Sequence, residues 1–323
     1  MHGADDGESL VRDSCAFHSM GCQARCIVSG RSHERNRALE GDVRDLLARI
    51  EKIASFYDPD SELNRLPRGV LATVSNELAE MLTLSQRIHS RTSGAFDITL
   101  GRVKALWDRA RKTHQMPSAT EIEQSFESGG MDKVELSPPC SVRILDSAVR
   151  LDLSGIAKGY AVDRGVEHLK ASGASGGLLN LGGDLRVFGC QQKPSQAEWR
   201  VSIQDPRPGK GALGCVILKD CAIATSGGYE RFATIEDEKA GHIFDPQARE
   251  LERTGPLLSV TIASGNCAEA DALATAVFAM GLEKGLDCLQ KKFPELKYCI
   301  VRLENDRLRL HRNLEILDLV ADS

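Results

Sequence analysis

Between Glu34 and Phe56 the apolar positions Ala38, Val43, Leu46, Leu47, Ile50 and Ile53 recur at helical spacing, which predicts an amphipathic helix. The same pattern predicts a helix over 76–89, through Leu78, Met81, Leu82, Leu84 and Ile88. Shorter helices are predicted over 103–111 and 120–125, and further ones over 159–171, 268–280 and 283–291. The stretch YDPDSELNRLP, with its Asp58-Pro59 turn signal, reads as a loop. Strand-like runs fall at 15–29, 149–153, 177–183, 184–189, 199–204, 215–220 and 257–264. KYCIVRLE and RLRLHR then read as a closing hairpin. This grouping predicts an α+β fold, with mixed or antiparallel sheets flanked by helices. The expected organisation is a flexible leader over 1–13 and one domain over 14–323. That domain divides into a helix-rich part, 34–130, and a sheet-rich part, 131–323, with no internal repeat or long linker.

Composition narrows the functional classes. Of 323 residues 41% are hydrophobic, enough for a packed core, and no apolar run reaches the ~20 residues that cross a bilayer. A net charge of −5 and only 5% aromatics argue against nucleic acid as a partner. The amino terminus is acidic where a secretory signal is basic, and no apolar stretch follows, which predicts a cytoplasmic protein. Ten cysteines without a CxxC pair read as reduced thiols rather than a zinc site or disulfide framework.

Four segments carry candidate chemistry. In LDLSGIAKGYAVDRG (151–165) a Ser-Gly turn leads into a helix start whose N–H groups suit phosphate oxygens. Lys158 adds positive charge there, and Asp152 stands at the end of the preceding run. In NLGGDLRVFG (180–189) paired glycines allow a sharp turn or close approach to a ligand, and Asp184 either binds or caps that turn. AIATSGGYERF (222–232) is followed by GHIFDP (241–246), where His242 and Asp245 are candidates for proton transfer. In AEADALATAVFAMG (268–281) Asp271 and Thr275 are four apart and share a helix face. Their hard oxygens suit Mg²⁺ rather than zinc, although acidic residues also favour a helix N-terminus on electrostatic grounds alone.

In their order these segments resemble the FAD:protein FMN transferase family, the ApbE-type flavin transferases. The resemblance runs from about Met20 to Gly281 and is carried by SMG (19–21), SELNRL (61–66), SGAFD (93–97), LDLSGIAKGYAVD (151–163), NLGGD (180–184), ATSGGYERF (224–232), HIFDP (242–246) and ADALATA (270–276). It implies an ApbE-like, T-fold-related architecture. It also implies an enzyme that uses FAD and Mg²⁺, moves FMN onto a Thr or Ser hydroxyl of an acceptor protein and releases AMP. Some members of the family instead hydrolyse FAD to FMN and AMP; a flavin-binding protein without catalysis is the other alternative.

Carried over by motif, Met20, Tyr57, Ala95, Phe96, Asp97, Asp152, Lys158 and Ile243 would line the FAD site. Asp271 and Thr275 would hold the metal, with the carbonyls of Gly155 and Ala274 completing it. His242 is the implied catalytic residue, with Asp245 the other candidate base. The chain departs from the family pattern at DPQAREL, where Ala248 and Arg249 replace Thr and Gly, and at Gly228, where Asp is frequent. Those departures bear on acceptor recognition and turnover more than on FAD binding.

Overall fold

A computed structural model describes residues 10–193, 195–227, 233–235, 238–245, 250–253 and 257–320; between 233 and 253 the description is of the backbone. An eight-stranded sheet organises the chain. It is built from β1 (Val11–Ser19), β2 (Cys22–Gly30), β6 (Gly176–Leu181), β7 (Asp184–Gly189), β10 (Ala222–Gly227), β14 (Leu257–Ser264), β15 (Lys297–Glu304) and β16 (Arg307–Arg312). The spatial order is β1-β2-β6-β7-β10-β14-β15-β16, and each neighbouring pair is antiparallel. The remaining strands form three small sheets. One holds β3 (Ala72–Thr73), β4 (Val134–Ser137) and β5 (Ser141–Ile144). Another is a ribbon of β8 (Trp199–Gln204) and β9 (Ala212–Leu218). The third holds β11 (Ala233–Ile235), β12 (Glu238–Asp245) and β13 (Glu250–Arg253).

The two faces of the large sheet are covered differently. Helices α1 (His33–Ala54), α5 (Ala157–Ala171) and α6 (Cys267–Met280) lie on one face, where α5 packs against both α1 and α6. The main core fills this layer with residues such as Val28, Val43, Leu47, Val162, Leu179, Ala224 and Leu273. The β8–β9 ribbon covers part of the opposite face. Trp199, Ile203 and Val216 of the ribbon meet Ile27, Leu185, Val187 and Ile223 of the sheet there in a second core. Strand alternation makes this possible: Ala24, Cys26 and Val28 join the helical core while Ile27 joins the other. Helices α2 (Asn76–Arg91), α3 (Gly101–Thr113), α4 (Ala119–Glu127) and α7 (Leu282–Lys292) complete the helical side. Trp107 and Phe126 centre a small cluster between α3 and α4.

Helix ends follow local chemistry. Ser32, Ser75 and Asn266 cap α1, α2 and α6 through side-chain acceptors, and Ser118 with Glu121 forms a capping box on α4. Helix α5 starts without a side-chain cap of its own. Asp163 of α5 accepts from Cys267 N–H and Ala268 N–H, so one helix ties down the first turn of the other.

The predicted helices are all present, within two residues at each end, and the α+β class holds. Two strand expectations change. The single run over 15–29 is the β1–β2 hairpin, which turns at Met20 and Gly21 with φ of 50° and 73°. Its first strand begins at Val11, inside the stretch expected to be a leader. The run 149–153 is not a strand: Val149, Leu151 and Leu153 are buried, but only Arg150 bridges, to Leu100. The alternation there reflects an extended chain packed on the core without a ladder partner.

Candidate functional site

The site grows from the start of α5. Lys158 Nζ donates to Asp184 Oδ2, and it stands 3.4 and 3.3 Å from the two carboxylate oxygens of Asp271. Asp271 also accepts from the backbone N–H of Gly159 at 3.2 Å, which satisfies a donor of the uncapped first turn of α5. Asp184 is 1% exposed and Asp271 3% exposed. Burial alone would push the Lys158 ammonium down, but the charges of Asp184 and Asp271 outweigh it and hold the lysine protonated. Burial, then the charge of Asp271, push the Asp184 carboxyl up, against Lys158 and a backbone donor from Thr225. Two buried carboxylates thus share one ammonium.

Close helix packing makes this contact. A Cβ on Gly159 would come within 2.4 Å of the Cys267 carbonyl oxygen, so only glycine lets α5 approach α6 this far. Thr275, one turn beyond Asp271, has its hydroxyl 3.2 Å from that of Ser226 on β10. Gly155 lies against both Thr275 and Phe96: a Cβ there would stand 3.2 Å from the Phe96 ring and 3.4 Å from the Thr275 hydroxyl. Lys158, Asp271, Thr275, Gly155 and Phe96, singled out on separate stretches of sequence, therefore meet in space. Ala274 is fully buried beside them on α6.

The other expected residues sit on several separate elements. Asp152 accepts from the N–H and hydroxyl of Ser154, immediately before Gly155, and lies 3.4 Å from Lys104 Nζ. The same lysine reaches over the Tyr57 ring, which is 64% exposed and whose hydroxyl donates to Asp108. Asp97 accepts from the N–H and hydroxyl of Thr99, and His89 Nδ1 lies 2.9 Å from the Phe96 carbonyl oxygen. These bonds hold the 93–97 loop, in which Ala95 and Phe96 are buried. Met20 occupies the β1–β2 turn, its N–H donating to Glu51. That turn packs on the β6–β7 turn, where Gly182 N–H donates to the Gln23 carbonyl, two residues before Asp184. His242, Ile243 and Asp245 are on β12, whose backbone lies against α6; their side chains are outside the described residues. Gly228, Ala248 and Arg249 also fall outside them.

Asp184, expected either to bind or to cap its turn, pairs with Lys158, whereas Ser226 and Lys104 were not among the expected site residues. Asp184 had a signal, since it directly follows the paired glycines. Ser226 lay within the ATSGGYERF segment without being singled out, and Lys104 had no signal, because an isolated Lys is ordinary on a helix.

The donors fit a hard divalent cation. Asp271 offers a buried carboxylate and, one helical turn on, Thr275 offers a hydroxyl that lies 3.2 Å from that of Ser226, all oxygen donors. Among the described residues no group of three His, Cys, Asp or Glu could cage a metal. A cation held here would keep waters or phosphate oxygens in its other positions, as Mg²⁺ does.

Fold and site define an α+β protein with a buried lysine–carboxylate cluster where two sheet-packed helices cross. The chain belongs to the ApbE family, whose profile matches residues 20–300. It is 28% identical over 284 residues to the FAD:protein FMN transferase of Escherichia coli K12, covering 85% of this chain and 80% of that one. It is 29% identical over 289 residues to the enzyme of the same name from Treponema pallidum, covering 84% and 79%. The flavinyl transferase ApbE of Pseudomonas stutzeri, in its apo form, superposes with a TM-score of 0.83 at 26% identity, over 95% of this chain and 96% of that one. The ApbE protein of Thermotoga maritima gives 0.83 at 28%, over 94% and 97%.

Proposed function

We propose that this protein is a Mg²⁺-dependent FAD:protein FMN transferase that attaches FMN to a Thr or Ser hydroxyl of an acceptor protein. The observation that carries this reading is the convergence of Lys158, Asp184, Asp271, Ser226 and Thr275 at the α5–α6 contact, in a chain of the ApbE family. In the reaction the acceptor oxygen bonds to the phosphorus of the FMN half. The pyrophosphate bond to AMP breaks, AMP leaves, and the hydroxyl proton passes to a base.

The chain's residues divide that work. Lys158 neutralises phosphate charge. Asp271 and Thr275, with the carbonyls of Gly155 and Ala274, would hold Mg²⁺, which supplies Lewis-acid stabilisation of phosphoryl oxygens. Tyr57 and Phe96 offer ring walls for the flavin or adenine, with Met20, Ala95, Asp97, Asp152 and Ile243 around them. His242 is the candidate base for the acceptor proton, with Asp245 the other. No helix among the described residues is long and apolar enough to cross a membrane; a cytoplasmic location remains part of the proposal.

The test is direct. The protein is incubated with FAD, Mg²⁺ and co-expressed redox proteins, which are then searched by mass spectrometry for FMN on Thr or Ser while AMP is measured. Labelled acceptor with matching AMP supports the transferase. Free FMN and AMP without label would make the protein an FAD pyrophosphatase. No AMP at all would leave a flavin-binding protein.

A further inference from the structure

The face of the sheet turned away from Lys158 carries a second cleft, of about 570 Å³, between the sheet and the β8–β9 ribbon. Its charge is one-sided. Arg12, Arg25 and Arg200 line it, and among the described residues no acidic side chain does. In a chain of net charge −5 this is a local reversal. Arg200 is engaged by Asp318. Among the described residues Arg12 donates to the neutral amide of Gln191 and to no carboxylate, and it rests over the Trp199 ring, 5.6 Å from its centroid, so they orient its charge without cancelling it. Arg25 is exposed and has no hydrogen-bond or ion-pair partner among the described residues.

The cleft also meets the edge of a strand. All six residues from Trp199 to Gln204 line it, which alternating side-chain faces allow only when the strand presents its edge. Among the described residues β8 pairs with β9 alone, so its other edge offers unpaired backbone donors and acceptors. Ile27, Leu178, Leu185 and Ile223 form an apolar floor beneath. The cleft borders the catalytic side as well. The Gly182–Gly183 turn that lines it leads directly into Asp184, and Thr225, also in its wall, donates its N–H to Asp184.

We infer that this cleft docks an acidic, extended segment of the acceptor protein, which adds as a strand to the open edge of β8 while Arg12 and Arg25 bind its carboxylates. Main-chain bonding along an edge gives affinity with little sequence demand, and the arginine forks select for carboxylates. A segment held here lies beside the β6–β7 turn, with the lysine–carboxylate cluster just behind it. The inference deepens the transferase reading and rests on it.

The probe is a fluorescein-labelled peptide of alternating Thr and Asp, with a Thr–Lys peptide and a mixed-sequence oligonucleotide as controls. Binding to the full-length protein is followed by anisotropy, and amide hydrogen exchange is measured across β8. Wild type should bind the Thr–Asp peptide and protect β8, while Arg12→Glu and Arg25→Glu each weaken binding by about tenfold and leave FAD affinity unchanged. No peptide binding, equal binding by both variants, or equal binding of the Thr–Lys peptide overturns the inference. Tighter, arginine-dependent binding of the oligonucleotide overturns the polypeptide assignment. AMP release from FAD, measured on the same samples, separates the readings: its absence in wild type undoes the transferase, whereas its presence with arginine-independent peptide binding undoes only the cleft.

Discussion

Lys158 is the only cation described in contact with both Asp184 and Asp271, so it keeps two buried carboxylates from facing each other uncompensated. Breaking a buried pair by removing one partner costs about 3–5 kcal/mol, because the remaining charge stays desolvated. The Lys158 side chain is 26% exposed, which places the expected loss for Lys158→Met at the low end, about 2–3 kcal/mol. Adding Asp184→Asn removes half of the stranded charge and should recover part of it, a coupling that urea unfolding of both single variants and the double variant would expose. Wild-type stability in Lys158→Met would mean that the cluster relaxes into solvent. Glu40 poses the opposite problem. It is buried beneath β1, and one carboxylate oxygen has no hydrogen-bond partner. Burial, then the Asp13 charge, raise its carboxyl above 4.5, against the Cys15 thiol, Arg44 and Arg37. A raised acid favours the folded state fully when protonated, so this contribution is present below the unfolded pKa and is lost as pH rises through the folded one. Glu40→Gln should therefore be more stable than wild type near neutral pH, and the gap should close toward about pH 4.5. Unfolding midpoints of the two proteins that run parallel across that range would remove Glu40 as the source.

At the scale of elements the α5–α6 contact decides the site. In a solvent-exposed helix, replacing Gly by Ala gains about 1 kcal/mol. At Gly159 the new methyl would meet the Cys267 carbonyl oxygen at 2.4 Å and the Ala268 Cα at 2.8 Å, backbone atoms that cannot swing aside. Overpacking of this kind costs about 1–3 kcal/mol, so the sign reverses. Gly159→Ala should destabilise the fold and weaken FAD binding, since separating the helices draws Lys158 and the Gly159 N–H away from Asp271. Flavin-fluorescence titration together with thermal unfolding would check both effects; a stabilised protein with unchanged FAD affinity would place the helix contact elsewhere. The same contact shows why some elements were legible and others were not. α1 and α2 declare themselves through periodic leucines and serine caps. Helix α6 is alanine-rich and buried on nearly every side, so its pattern marks a helix without marking a face. The run 149–153 carries the alternation of a strand, yet its hydrogen bonds go elsewhere: Asp152 N–H to Ile98, and Gly101 N–H back to the Arg150 carbonyl. Periodicity reports burial, and pairing depends on what the fold brings alongside.

For the whole molecule, the large sheet separates two chemistries, one on each face. Its helical face gathers Lys158, Asp271 and Thr275 from segments more than a hundred residues apart, as shared motif order implied. Its other face gathers Arg12, Arg25 and Arg200, which belong to no motif and whose meeting depends on how the β8–β9 ribbon folds back. The cation proposed for the helical face should be felt by the entire fold. A ligand that binds only the native state stabilises it by about 2.7 kcal/mol at a hundredfold excess over its dissociation constant. For a chain of this length that is a rise of about 4 °C in the unfolding midpoint. Mg²⁺ should therefore raise the wild-type midpoint, EDTA should reverse the rise, and Ca²⁺, which prefers more and longer oxygen contacts, should do less. Asp271→Asn gives up one anionic ligand and should lose the Mg²⁺-induced shift measured against its own midpoint, whatever the variant's starting stability. Because the readout is unfolding, it does not depend on an acceptor or on turnover. A full shift retained in Asp271→Asn would remove this carboxylate from the metal site and leave it as the cap that holds the start of α5 against α6.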